Sequence, residues 1–138
     1  MRINVPGMPE APVGSGFQLP DPGDYRLLIR EMEEDERDPS KPKIIVTFEV
    51  IDGPQQRGIV KATNSFSPVG MTAKEFIPNQ PNCAFRAKNL AVAAGAMSRD
   101  DEDTDYIDTE KCIGQLVDAR ISHKEYNGNI QLVFKYLV

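Results

Sequence analysis

At 138 residues, with 40% apolar and 27% charged side chains, the chain has the size and composition of one folded domain, which excludes a disordered polypeptide. Its net charge of −5 argues against indiscriminate attraction to polyanions, and the lack of an apolar run of spanning length argues against a membrane protein. Cys83 and Cys112 stand far apart outside any Cys-x-x-Cys pair, so neither a disulfide framework nor a zinc cluster is expected. A reducing cytoplasm is the expected compartment, because Met1 to Pro20 lacks the basic-then-apolar layout of a secretory leader.

In chain order, residues 1–20 are rich in Pro and Gly without periodicity and read as an extended N-terminal arm, pinned at Phe17 or Leu19. The folded domain is expected over residues 21–138. It opens on the turn Asp21-Pro22-Gly23-Asp24. Strand one, Tyr25 to Met32, alternates Tyr25, Leu27 and Ile29 with Arg26, Leu28 and Arg30. The acidic run Glu31 to Asp38 is expected to break it. Strand two, Lys43 to Ile51, is rich in β-branched residues, with Ile44, Val46, Phe48 and Val50 on one face. Strand three is expected over Ile59 to Phe66, placing Phe66 at a core parity.

Ser67 to Pro81 reads as a long Pro-containing connection that carries Phe76. A helix follows from Asn82, its expected N-cap, to Met97, with Ala84, Ala87, Ala91 and Ala94 at helical spacing. Beyond the acidic stretch Asp100 to Asp105, Asp108 is expected to cap a one-turn helix closed by Gly114. Strands four and five, Leu116 to Glu125 and Ile130 to Leu137, meet at Asn127-Gly128, a strong hairpin signal. The order β-β-β-α-β-β is that of the five-stranded Greek-key OB-fold barrel, a mainly β architecture whose open face commonly holds single-stranded nucleic acid or oligosaccharide.

No catalytic constellation emerges. His123 has no acid or nucleophile at a recognisable spacing, and the sequence holds no phosphate loop and no nucleophile elbow. Asp101, Asp103 and Asp105 share the first ligand spacings of a calcium loop, but Tyr106 replaces its glycine and Cys112 its bidentate Glu. The expectation is a non-enzyme without cofactor or metal.

What remains is charge placement. Residues 39–99 carry eight basic against three acidic side chains, whereas residues 1–38 and 100–138 each carry four basic against nine acidic. Strand parity turns Arg26, Arg30, Lys61, Arg120, Lys124 and Lys135 outward. Lys43 starts strand two, Arg57 precedes strand three, and Arg86 and Lys88 on the helix would border the groove. Phe66, Phe76 and Tyr126 supply aromatic surfaces for bases. Scattered strand cations also serve as solubility devices at sheet edges, and Glu49 and Asp118 share their face.

From Leu19 onward the chain resembles a phage-encoded family found beside recombination genes and long described as a domain of unknown function. The resemblance lies in Pro22-Gly23-Asp24-Tyr25-Arg26, in Thr47-Phe48-Glu49-Val50-Ile51-Asp52-Gly53-Pro54 and in the Ala-rich helix ending near Ala94-Gly95. It continues through Ile113-Gly114 and Lys124-Glu125-Tyr126-Asn127-Gly128. It implies an OB-fold single-stranded-DNA-binding protein with phage recombination or replication proteins as partners. Many such proteins end in an acidic tail, whereas this sequence ends inside a strand pattern at Phe134-Lys135-Tyr136-Leu137-Val138. The alternative expectation is an accessory OB domain that docks a recombinase or polymerase through its acidic loops. A nuclease using Asp100 to Asp105 is a third, weaker reading.

Overall fold

Alternating apolar and polar side chains draw the chain into strand soon after Pro22. The computed structural model describes residues 1–6, 8–10, 19–58 and 65–138. The first strand, β1 (Gly23–Asp35), buries Tyr25, Leu27 and Ile29. Its register against β2 (Lys43–Asp52) slips between Ile29 and Glu31. This bulge shifts the inward parity by one residue, so Met32 continues the buried row. The acidic run therefore does not break the strand as expected. Glu31, Glu33 and Glu34 remain exposed while their backbone pairs with Thr47, Ile45 and Ile44.

Two short strands, β3 (Gln56–Arg57) and β4 (Ser65–Phe66), form a separate ribbon. The last two residues of the expected third strand lie in this ribbon; residues 59–64 lie outside the described part of the chain. The third strand of the main sheet is instead β5 (Thr72–Pro78), within the segment read as a connection. It alternates Ala73, Glu75 and Ile77 inward with Thr72, Lys74, Phe76 and Pro78 outward. A carboxylate at an inward position and a phenylalanine at an outward one hid this strand from hydropathy periodicity.

A 3-10 turn (Pro81–Cys83) leads into α1 (Ala84–Ala93), so Asn82 lies in that turn and is not the N-cap; Cys83 takes that place without a side-chain bond. The helix ends at Gly95 (φ 76°), whose N–H donates to Val92, while the N–H of Ala96 donates to Ala91. This paired closure needs a left-handed residue, and glycine adopts one without strain. A single turn, α2 (Thr109–Cys112), has Asp108 as its cap, accepting from the Glu110 N–H at 3.1 Å. The last strands, β6 (Leu116–Tyr126) and β7 (Asn129–Tyr136), join through Asn127 and Gly128, both at positive φ as a tight hairpin turn requires.

The main sheet has the order β5-β2-β1-β6-β7 and every neighbouring pair is antiparallel. The architecture is mainly β, as expected, but β5 and β7 share no ladder, so the sheet is not closed into a barrel. One side of the sheet buries Leu27, Val46, Phe48, Val50, Ile77, Val117, Ile121 and Phe134, and Leu90 of α1 joins the same core. Phe48 packs on Phe134 with ring centroids 5.3 Å apart. At the start of β1, the buried Gln56 donates to the Tyr25 hydroxyl at 2.8 Å and accepts from the Asp21 N–H at 2.6 Å. Among the described residues no helix is long and apolar enough to cross a membrane.

Candidate nucleic-acid interface

Sheet register decides what the outward cations face. Arg26 lies opposite Asp118 and Arg120 opposite Asp24, because β1 and β6 pair antiparallel at those positions. Their Nε atoms donate to the carboxylates at 3.0 and 2.8 Å, and Arg30 reaches Glu49 at 2.9 Å. The guanidinium of Arg120 lowers the Asp24 pKa, and the partner carboxylates raise those of Arg26 and Arg120. On the strand face these three arginines therefore stand in exposed ion pairs, with Glu49 and Asp118, which parity also placed there, and with Asp24. Pairs of this kind hold little net free energy in water.

A second group gathers where β1 ends and β2 begins. Phe76 points outward from β5 with 51% of its surface exposed, and Ile45 is its register partner. The Lys43 ammonium lies 5.4 Å from the Phe76 ring centroid, within cation–π range, and 3.9 Å from Asp35. Phe76, Lys43 and Asp35 line a cleft of about 530 Å³ with Arg37, Lys41, Pro78 and Asp38. Arg37 holds Asp35 through two bonds of 3.0 and 2.7 Å, which keeps that carboxyl well below the usual carboxylate range. Arg37 and Lys41 were missed because they sit among the acids of the β1–β2 loop. Their one sequence signal was proximity to the start of strand two.

The other expected residues are placed elsewhere. Arg86 turns toward the core, donating to Glu75 at 3.3 Å and to the Phe76 carbonyl at 3.2 Å. Lys88 donates to the Asp101 carbonyl. Both helix cations thus have structural partners. Phe66 is 37% exposed on the ribbon, not in the core as its parity suggested. Arg57, next to it, is exposed and its backbone N–H donates to Asp21 at 2.8 Å. Lys61 lies outside the described residues. Lys124 and Tyr126 stand on the β6–β7 hairpin, which runs past the Gly23–Ile121 pair where β1 starts, and Lys135 lies opposite Arg120. Since Lys43 pairs with the other end of β1, the hairpin tip and the Phe76 cleft occupy opposite ends of that strand.

Asp101 closes a local turn, accepting from the Asp103 and Thr104 N–H groups at 3.0 and 2.8 Å and from the Thr104 hydroxyl at 2.8 Å. Among the described residues no group of three or more His, Cys, Asp or Glu side chains is placed to hold a metal ion. His123 Nε2 lies 2.6 Å from the Pro20 carbonyl and must donate to it, which ties the end of the arm to the hairpin. Compared with protein-family models and with curated proteins, the chain matches none.

Proposed function

We propose that the chain is a non-enzymatic, sequence-tolerant single-stranded-DNA-binding protein of phage replication or recombination, working in the host cytoplasm on an OB-type scaffold. Three features of the fold support that scaffold. The strand order β5-β2-β1-β6-β7 is the barrel order cut open at one seam. The helix lies between the third and fourth strands of the sheet. A hydrogen bond from Tyr136 to Glu75 bridges the seam itself.

The observation that carries the function is the exposed Phe76 ring in a cleft with Lys43, Lys41 and Arg37. A base can stack on the ring while the cations take the flanking phosphates, and stacking of this kind contributes about 1–3 kcal/mol per base without sequence preference. Oligo-dT titrations at several salt concentrations test the reading. The expected slope of log affinity against log salt is about −0.7 per neutralised phosphate. A flat response would remove the mechanism.

The second reading is an accessory domain that docks a replication or recombination protein through its acidic loops. It is favoured by one observation: Arg26, Arg30 and Arg120 already hold carboxylates. It predicts no oligo-dT binding and capture of a purified recombinase or polymerase.

A further inference from the structure

The groove between α1 and the acidic loop takes no part in the nucleic-acid reading. Its volume is about 570 Å³, and Met32, Ile44 and Ile107 give it an apolar floor. Phe85 and Tyr106 also line it, with 62% and 68% of their surfaces exposed. Aromatic side chains left this open around one groove are the type that anchors interfaces. Glu33, Glu34 and Asp105 also line it, whereas Lys88, its cation, is held by the Asp101 carbonyl. The fitting occupant is a short apolar segment bearing positive charge.

The chain carries such a segment. Ile3, Val5 and Met8 are 80%, 50% and 65% exposed, and Arg2 is the only charged side chain through Pro9. Within one copy the segment and the groove do not meet, since none of the described arm residues lines it. The arm enters the fold through Pro20, held by His123 beside the start of β1, while the groove is built on Met32 to Glu34 near the end of that strand.

We propose that the N-terminal segment of one copy seats Ile3, Val5 and Met8 in the Phe85–Tyr106 groove of a second copy, with Arg2 against Glu33, Glu34 and Asp105. The two surfaces differ, so each copy offers one arm and one groove. Copies exchange arms in pairs or add head to tail. This contact does not depend on nucleic acid.

Sedimentation velocity on the full chain without DNA, from micromolar to millimolar concentration, tests it. Wild type is expected to associate. The Ile3→Asp/Val5→Asp and Phe85→Glu/Tyr106→Glu double variants are each expected to weaken association by about tenfold or more. All these positions are exposed, so native circular dichroism and an unchanged Tm are expected in both variants. Mixing the two variants should restore a heterodimer, because an intact arm then meets an intact groove. A monomeric wild type, either variant associating like wild type, or a mixture that stays monomeric would each overturn the proposal.

Discussion

Tyr136, at the end of β7, donates its hydroxyl hydrogen bond to the Glu75 carboxylate on β5, joining the two edges of the sheet that share no backbone ladder. Glu75 is 2% exposed, and Arg86 of α1 supplies its counter-charge at 3.3 Å. One carboxylate thereby ties together both edge strands and the helix. Burial pushes the Glu75 pKa up against the opposing pull of Tyr136 and Arg86, and raises that of the Tyr136 phenol well above 10.

Removing the hydroxyl should loosen this seam. Tyr136→Phe is expected to cost about 1–3 kcal/mol, since a buried carboxylate loses a donor and gains nothing. Denaturant unfolding measures the loss. A change within experimental error would mean the seam does not contribute to stability.

Glu75 also sets a pH dependence. Its pKa is raised in the folded state above the ordinary value of 4.5, so the stability it contributes is fully present below 4.5 and is lost as pH rises through the folded value. Glu75→Gln keeps an acceptor for Tyr136 and removes the titration. The stability of wild type relative to this variant should therefore decline as pH rises from 4.5 through the folded value. A constant difference across that window would contradict a buried, ionisable Glu75.

Gly53 allows the Tyr25 ring to lie against the backbone; a Cβ there would stand 2.4 Å from ring atom Cδ1. Tyr25 is held by its bond to the Asp21 carbonyl and by Gln56, so it has no room to retreat. Gly53→Ala is expected to destabilise by about 1–3 kcal/mol through overpacking. Thermal unfolding that matched wild type would show that the ring can move aside.

The ion-paired strand arginines give a test in the direction of gained function. Asp24→Asn, Glu49→Gln and Asp118→Asn each uncover one guanidinium while removing only an exposed pair. Oligo-dT affinity should rise in the triple variant, and the salt slope should steepen by about 0.7 for each phosphate newly engaged. Unaltered affinity and slope would place the bound strand away from β1 and β6.

The two aromatic positions should separate in the same assay. Phe76→Ala is expected to weaken oligo-dT binding by about 1–3 kcal/mol. Tyr126→Ala is expected to matter only for oligonucleotides long enough to reach the opposite end of β1. Equal losses on the shortest oligonucleotides would place the hairpin within the primary site.

Much of the scaffold was legible because it is written in local chemistry. The period-two rows of β1 and β2, the Asp108 cap and the Asn127-Gly128 turn each follow from side-chain size and backbone freedom over a few residues. The strand β5 was not legible. Glu75 points inward and Phe76 outward, the reverse of what hydropathy assigns, and only partners distant in sequence make that arrangement stable.

The candidate site divides in the same way. Lys43, Phe76 and Tyr126 could be nominated from residue type and position, and the structure leaves both aromatics exposed. Whether a cation is available depends on register, which pairs residues tens of positions apart. Arg26 and Arg120 meet carboxylates 92 and 96 residues away, and Arg86 turns inward to a glutamate on another element. Composition and periodicity by themselves determined the kind of protein: mainly β, and basic in its middle third. Only the tertiary structure decided which charges cancel, because Coulomb interactions depend on distances in space and an inward carboxylate is tolerated only where the fold delivers its donors.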